Sequence, residues 1–354
     1  MSKKILMEGN EAIAEAAIRA DCKCYFGYPI TPQSELPAYL SKHLPEKGGV
    51  FLQAESEVAA INMVYGAGGS GVRVMTSSSS PGISLKQEGI SYLVGAEVPC
   101  VIVNIMRGGP GLGNIAPSQS DYFQATKGGG HGDYKMIVLA PSSVQEAADL
   151  TVDAFDLADK YRNPVMILGD GMLGQMMEPV EFKKSSKNNL KRKTWATTGA
   201  KGRKPNVINS LYLQPTELEK VNKKLQKKFK SMEKEVRYEK FYMEDAEIAI
   251  IAYGTVARIV KTSIEYARKE GIKAGLIRPI TLYPFPRKVI EDAANKINSF
   301  LVVELSAGQM VEDVKLAVNG KKDVYFYGKL GGVVPSPIEI YEKIKEIALS
   351  SRKK

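Results

Sequence analysis

The chain has 354 residues, of which 44% are hydrophobic and 25% charged, so its length predicts two globular domains and its composition excludes disordered and fibrous proteins. No apolar stretch approaches the ~20 residues needed to cross a bilayer, and no apolar signal-peptide core follows residues 1–7, so we expect a cytoplasmic protein with no membrane segment. The net charge of +10 arises from residues 183–240, which hold 18 Lys and Arg against 5 Asp and Glu and leave −3 for the rest.

Residues 1–182 alternate between strand and helix patterns. Asn10 is expected to cap the first helix, and Ser143 with Glu146 forms a capping box for a later one. Apolar strands separated by amphipathic helices predict a doubly wound α/β domain with a parallel sheet covered on both faces. The expected strands are Cys24–Gly27, Val72–Met75, Cys100–Met106, Met136–Leu139 and Val165–Leu168.

The pattern changes in residues 183–244. Residues 185–210 are polar and basic, which indicates a hairpin excursion or a loop. Thr216 and Glu219 offer a second capping box, and apolar residues then recur every three to four positions from Val221 to Val236, so a long helix with one apolar stripe is predicted.

Residues 245–354 show a second, smaller α/β pattern. Helical patterns separate the apolar strands, so a second parallel sheet is expected. The predicted strands are Ile248–Tyr253, Ala274–Ile277, Phe300–Glu304 and Val324–Tyr327.

Ligands of open α/β sheets lie beyond the carboxyl ends of the strands, so the loops at these ends hold the candidate site residues. In Gly27–Pro32 two prolines fix the backbone around Thr31, which suits either a hydrogen bond to a substrate or a rigid turn. Glu57 begins an apolar helix, where an acid is either functional or a partner of the helix dipole. Arg107 ends a buried strand before a glycine-rich loop, as either a fork for a substrate carboxylate or one half of a structural ion pair.

Other polar residues give weaker signals. His131 has no second histidine or cysteine nearby, and we interpret it as a loop or interface residue. Asp170 lies in a Gly-Asp-Gly sequence but lacks the asparagine, roughly 25 to 30 residues on, that the magnesium motif of thiamine enzymes requires, so we interpret it as a strand-end turn. Cys22, Cys24 and Cys100 are too few for an iron–sulfur cluster or structural zinc, so we expect no metal on this chain and any redox metal on a partner.

Several motifs together resemble the α subunit of the 2-oxoacid:ferredoxin oxidoreductases over nearly the whole chain. Within that family the segment Gly27–Glu35 and the length are most similar to the branched-chain, 2-oxoisovalerate type, with the 2-oxoglutarate type a near second. The segments that carry the resemblance are Glu8–Ala14, Gly27–Glu35, Glu55–Asn62, Arg107–Pro110, Gln119–Asp121 and Leu276–Pro286.

The resemblance implies a fold and a set of partners. Residues 1–182 would form a pyrimidine-binding thiamine diphosphate domain, 183–244 a basic excursion and linker helix, and 245–354 a domain like the transketolase C-terminal domain. Thiamine diphosphate would be shared with a β subunit that holds the diphosphate and Mg²⁺, which accounts for the incomplete motif at Asp170. Iron–sulfur clusters would lie on partner subunits, one of them on the β subunit. The other partners would be γ and ferredoxin-like δ subunits or fused equivalents, and ferredoxin would accept the electrons.

It also implies roles for individual residues. Glu57 would hydrogen-bond the pyrimidine ring nitrogen of thiamine diphosphate and promote loss of the thiazolium proton, with Tyr28 and Pro29 also at the cofactor. Thr31 and Arg107 would hold the oxo and carboxylate groups of a 2-oxoacid. The reaction would be oxidative decarboxylation, with transfer of the acyl group to coenzyme A.

Alternative functions remain. A 2-oxoglutarate enzyme would need a further cation for the distal carboxylate, and the sequence names none. A non-catalytic assembly subunit is a third reading, against which stands the joint presence of Thr31, Glu57 and Arg107. The basic segment could bind an anionic partner, but its lysines are not interleaved with stacking aromatic residues, so we expect no nucleic-acid binding and favour a solvated linker.

Overall fold

The computed structural model describes residues 4–182 and 193–351, so part of the basic segment, 183–192, lies outside the described residues. Residues 4–182 contain, in chain order, β1 (Ile5–Glu8), α1 (Gly9–Arg19), β2 (Cys24–Gly27), α2 (Glu35–Glu46), β3 (Val50–Gln53), α3 (Glu57–Gly69), β4 (Val74–Ser78), α4 (Ser80–Gly95), β5 (Val101–Met106), β6 (Ile137–Leu139), α5 (Val144–Tyr161), β7 (Val165–Asp170), α6 (Gly171–Gln175) and β8 (Met177–Val180). From residue 193 onward they are followed by α7 (Pro215–Met232), β9 (Tyr238–Phe241), β10 (Ile248–Ile251), α8 (Gly254–Lys269), β11 (Ala274–Pro279), β12 (Thr281–Tyr283), α9 (Arg287–Ala293), β13 (Ser299–Glu304), α10 (Met310–Val318), β14 (Asp323–Gly328) and α11 (Pro337–Ser351). None of the helices in these two ranges combines the length and apolarity that a bilayer crossing requires.

The first sheet has seven strands in the order β12-β6-β7-β5-β4-β2-β3. All its strands are parallel except β12, which pairs antiparallel with β6. The central strands β5 and β7 are buried along their whole length, as expected where helices cover both faces of a parallel sheet. The predicted doubly wound α/β fold is confirmed.

The second sheet has five strands in the order β14-β13-β10-β11-β9, and only β9 runs antiparallel to its neighbour. One face packs on α8 and α11 through a separate apolar core. All four strands expected in residues 245–354 are present, so the second parallel sheet is also confirmed.

Two short strands that the sequence did not predict pair outside the predicted segment in which they lie. β9 lies within the predicted linker but pairs with β11, and β12 lies within the predicted second domain but extends the first sheet. The boundaries after residues 182 and 244 therefore stay predictions. The predicted linker contributes an edge strand to the second sheet, and the predicted second domain contributes an edge strand to the first sheet.

Some predicted caps differ from the structure. Asn10 lies inside α1, whose N-cap is Glu8, and Thr216 lies inside α7, whose N-cap is Gln214; neither N-cap makes a side-chain capping hydrogen bond. Ser143 does cap α5 by accepting a hydrogen bond from the Glu146 backbone at 3.1 Å. The described residues 193–214 contain no helix or strand.

The two sheets face each other at the carboxyl ends of their strands. The side-chain amide of Gln119 donates to the Tyr253 carbonyl at 3.1 Å and its carbonyl accepts from the Leu305 backbone at 3.1 Å. Thr255, at the start of α8, donates to Asp170 at the end of β7. These contacts place the loops after β5 and β7 beside the carboxyl ends of β10 and β13. Arg107, after β5, also contacts Thr31 in the loop after β2 and Ser80 after β4, and we call the region where these four loops meet the cleft.

Candidate active site

Glu57 is the first residue of α3 at the edge of the first sheet. Ser56 caps this helix by accepting a hydrogen bond from the Ala59 backbone at 3.2 Å, which fixes the direction of the first turn. The Glu57 side chain turns inward and only 6% of the residue is exposed. An acid that served only the helix dipole would usually remain in solvent, so this position favours a functional role.

The Glu57 carboxylate lies against the first turn of α4. A Cβ atom added to Gly82 would be 2.5 Å from Glu57 Oε1, so the missing side chain of this glycine makes room for the carboxylate. Among the described residues no donor hydrogen-bonds the carboxylate, and the hydroxyls of Ser78 and Ser79 nearby are buried without partners. Buried polar groups are rarely left unsatisfied, so the site is suited to a polar ligand.

Arg107 follows β5 and is 7% exposed. Its guanidinium donates to the carbonyl oxygens of Thr31 at 3.0 Å and Leu112 at 2.9 Å, while its Nε has no partner. No carboxylate of the described residues forms an ion pair with it. The structural ion pair considered from the sequence is therefore absent from these residues, and the free N–H can bind an anion.

Asn10, on α1, holds the loop Gly27–Pro32 through hydrogen bonds. Asn10 donates to the Pro32 carbonyl at 2.9 Å and to Glu35 at 2.7 Å, which is what this residue does in place of capping α1. The Thr31 side chain stays exposed beside Arg107, and Tyr28 and Pro29 are also exposed. Arg107 thus contacts the Thr31 carbonyl, and Tyr28 and Pro29 are accessible in the same loop.

A hydrogen-bonded group joins Arg107 to α4. The Ser80 hydroxyl accepts from the Arg107 backbone at 3.1 Å and donates to Asp121 at 2.6 Å, and Asn104 donates to the same carboxylate at 2.9 Å. Burial raises the pKa of Asp121, although both hydrogen bonds oppose the shift. Ser80 and Asn104 were not predicted, and Asp121 entered the sequence analysis only as part of a motif.

Lys86 is a second functional candidate that the sequence did not reveal. It lies one turn after Gly82 on α4 and is completely buried. In the sequence it is noticeable only because it lies on the same helix face as the apolar residues Ile83 and Ile90. A lysine in such a position is usually solvated at the helix surface.

The remaining candidates have structural surroundings. Asp170 accepts from the backbone of Met172 and Leu173, so it caps α6 and is the strand-end turn that the sequence suggested. His131 is exposed, and its ring lies edge-on to Tyr92 at 6.2 Å. The two described ranges contain no group of three or more His, Cys, Asp or Glu side chains that could hold a metal ion.

Comparison with known proteins identifies the family. The profile described as pyruvate flavodoxin/ferredoxin oxidoreductase, thiamine diP-bdg, matches residues 15–251, and that of pyruvate:ferredoxin oxidoreductase core domain II matches residues 246–340. A ketoisovalerate oxidoreductase subunit VorB from Methanothermobacter marburgensis is 53% identical over 344 residues, which is 97% of each chain. The chain belongs to the 2-oxoacid:ferredoxin oxidoreductases.

Other relatives of this oxidoreductase chain agree. A 2-oxoglutarate synthase subunit KorA from the same organism is 37% identical over 372 residues, covering 97% of this chain and 99% of the relative. A solved 2-oxoglutarate:ferredoxin oxidoreductase from Magnetococcus marinus, with 2-oxoglutarate, coenzyme A and succinyl-CoA bound, has a TM-score of 0.89 at 30% identity over 98% of this chain and 66% of its own. A split gene transketolase at 14% identity and a TM-score of 0.60 shares the fold.

The residues at the cleft fit the cofactor of this oxidoreductase family. The domain matched by residues 15–251 is thiamine diphosphate-binding, which confirms the predicted cofactor. The Glu57 carboxylate has no hydrogen-bond donor among the described residues and occupies space left by Gly82. An aminopyrimidine ring has N–H donors, and such a carboxylate can accept a hydrogen bond from them. Neither Glu57 nor the substrate residues are tested by the comparisons, so their roles stay predictions.

Proposed function

We propose that this chain is the α subunit of a ferredoxin-dependent oxidoreductase that converts a branched-chain 2-oxoacid, 2-oxoisovalerate, with coenzyme A to an acyl-CoA, CO2 and reduced ferredoxin. The observation that carries the proposal is Glu57, a nearly buried carboxylate for which the described chain provides no hydrogen-bond donor. Thiamine diphosphate, which the matched domain of the family binds, can supply that donor.

In this proposal Glu57 acts on the pyrimidine of thiamine diphosphate. Its carboxylate holds a proton at the ring nitrogen, and burial on α3 keeps water from competing for that hydrogen bond. Bound thiamine diphosphate supplies a nucleophilic carbon and an electron sink for decarboxylation. Tyr28 and Pro29 complete the cofactor side of the loop after β2.

Arg107 and Thr31 orient the substrate. Hydrogen bonds to two carbonyl oxygens fix the plane of the Arg107 guanidinium, whose Nε has no partner among the described residues. The carboxylate of a 2-oxoacid can therefore bind this cation without a rearrangement of the arginine side chain. The exposed Thr31 hydroxyl, held next to that guanidinium, donates to the 2-oxo oxygen.

An apolar substrate side chain fits what surrounds Arg107. Leu112, whose carbonyl accepts from Arg107, is 80% exposed, and Ile115 in the same loop is 61% exposed. Two accessible aliphatic side chains favour a branched alkyl group over a second carboxylate. The 53% identity to the VorB subunit, against 37% to the KorA subunit, supports the same substrate class.

The proposal requires partner chains. The relatives are named as subunits. We therefore assign the diphosphate, Mg²⁺ and an iron–sulfur cluster to a β subunit, and we expect γ and ferredoxin-like δ subunits or fused equivalents as further partners. The assembly acts in the cytoplasm with ferredoxin as electron acceptor.

The test is competition between substrates in the complex reconstituted from all its subunits. We expect kcat/KM for 2-oxoisovalerate to exceed that for 2-oxoglutarate by at least tenfold, the effect of about 1.4 kcal/mol in transition-state binding. The same preparation without this chain is the control and should reduce no ferredoxin. A preference for 2-oxoglutarate would overturn the branched-chain assignment, and activity without this chain would overturn the catalytic one.

A further inference from the structure

Lys86 is a fully buried lysine on α4 for which the proposed mechanism has no use. Its Nζ donates to the Thr76 hydroxyl at 2.6 Å and to the Ser77 carbonyl at 3.0 Å, both on β4. Among the described residues no carboxylate forms an ion pair with it. Burying an ammonium without an ionic partner is unfavourable relative to an apolar side chain of similar length, so packing alone does not explain a lysine here.

Lys86 and Glu57 face the same part of the interior. Gly82 and Lys86 are four residues apart on α4 and therefore lie on one face of the helix, and Glu57 Oε1 lies against Gly82. The titratable groups that face Lys86 are Glu57, from α3, and Cys100, immediately before β5. Burial lowers the pKa of Lys86 to about 7 and the Glu57 charge opposes that shift, while burial raises the pKa of the Cys100 thiol, which is therefore neutral.

We propose that Lys86 is a positioning residue for Glu57: its ammonium, fixed by Thr76 and Ser77, attracts the Glu57 carboxylate and holds it in its position against Gly82. The inference rests on the role proposed above for Glu57. In the protein interior the attraction between an ammonium and a carboxylate is weakly screened, so it can orient the Glu57 side chain without direct contact.

Lys228 provides a matched control, because it is a second poorly exposed lysine whose surroundings explain it. It lies on α7, and its Nζ donates to Glu97 at 3.3 Å and to the Arg162 carbonyl at 3.1 Å. Burial lowers its pKa to about 8, as for Lys86. Lys228 has an acidic partner and no contact with the cleft, so its removal tests what the loss of a buried lysine does by itself.

The experiment is a double-mutant cycle in the complete complex, with Lys86→Met, Glu57→Gln and the double variant. The readout is the rate at which the C2 proton of bound thiamine diphosphate exchanges with deuterium in the absence of 2-oxoacid, measured by NMR after acid quench. At about pH 6, where Lys86 is protonated, Lys86→Met should slow exchange about tenfold, because the Glu57 carboxylate loses the charge that positions it. In the Glu57→Gln background the same change should alter the rate by less than about twofold.

The control measurements separate positioning from folding. Lys228→Met should leave the exchange rate unchanged, and Lys86→Met should leave the affinity for thiamine diphosphate within about threefold of the unmodified complex. If Lys86→Met does not assemble, Lys86→Gln, which keeps N–H donors for Thr76 and Ser77, should give the same tenfold slowing.

Two results would overturn the inference. One is an unchanged exchange rate in Lys86→Met or Lys86→Gln, and the other is an equal slowing by Lys86→Met in both Glu57 backgrounds, which indicates a purely structural role. Exchange at the normal rate in Glu57→Gln would instead reject the role proposed for Glu57 itself, so the two failures are distinguishable.

Discussion

Glu57 and Glu304 are two buried glutamates at the edges of the two sheets, and their surroundings differ. Glu304 ends β13 and accepts hydrogen bonds from the Ser306 hydroxyl and from the backbone N–H groups of Gln309, Met310 and Val311, so it caps α10. Glu57 begins α3 and accepts none among the described residues. Burial alone therefore does not mark a functional acid; the supply of donors separates the two roles.

The largest effect is expected from removing the negative charge of Glu57. Glu57→Gln keeps the shape of the side chain but cannot hold a proton, so turnover of the reconstituted complex should fall roughly 10²- to 10⁴-fold. Steady-state ferredoxin reduction measures the loss, and circular dichroism with thermal unfolding should show an unchanged fold. Near-normal turnover would remove Glu57 from the mechanism.

The same substitution at Glu304 is the matched control. Glu304→Gln loses charged hydrogen bonds to the start of α10 and should cost about 2 kcal/mol of stability, measured by thermal unfolding. The turnover of the folded fraction should stay close to normal. If both variants lost stability and neither lost specific activity, the comparison between the two acids would fail.

Arg107 extends the comparison to a buried cation that also lacks an ionic partner. Arg107→Met removes the carboxylate fork, and the apparent KM for the 2-oxoacid should rise roughly 10- to 100-fold, the loss of a charged hydrogen bond of about 1.5–3 kcal/mol. The affinity for thiamine diphosphate should change much less. An unchanged KM with a lower cofactor affinity would assign Arg107 to the cofactor instead.

The fold and the positions of these residues could be largely predicted from sequence. Short apolar runs such as 101–106 and 165–168 are typical of buried parallel strands, and the loops after predicted strands contained Thr31 and Arg107. Edge strands β9 and β12 were missed because each has only three or four residues and pairs with a strand 35 or more positions away.

The donors and partners of the site could not be predicted in this way. Ser80 contacts Asp121 across 41 residues and Arg107 across 27, and no local pattern encodes those distances. Lys86 appears in sequence as an ordinary helical lysine, and its burial follows from the packing of α4 against α3 and β5, with the Nζ reaching β4. Sequence patterns therefore predict which loops contain the candidate residues, whereas tertiary packing decides which polar groups are left without hydrogen-bond partners.

A smaller effect is expected from filling the space that admits Glu57. In Gly82→Ala the new Cβ would lie 2.5 Å from Glu57 Oε1, so the carboxylate must move by a few tenths of an ångström to about 1 Å. We expect turnover to fall about tenfold, less than the roughly 10²-fold that a full 1 Å displacement can cost.

Gly66→Ala on α3, where a Cβ meets nothing within 4 Å, is the control and should raise stability by about 0.5–1 kcal/mol at normal turnover. Equal activity of the two alanine variants would show that Gly82 does not position Glu57.

The smallest effect concerns pH and Glu304. Burial raises the pKa of this carboxyl, although its hydrogen bonds oppose the shift, so the folded chain binds the proton more tightly than the unfolded chain. The stability that Glu304 contributes is then complete below the ordinary pKa of about 4.3 and declines as the pH rises through the raised value. The difference in unfolding temperature between the unmodified chain and Glu304→Gln should therefore shrink between about pH 4 and pH 7. A difference that grows with pH would mean that the four hydrogen-bond donors stabilise the carboxylate by more than burial destabilises it. The pKa of Glu304 would then be lowered and not raised by folding.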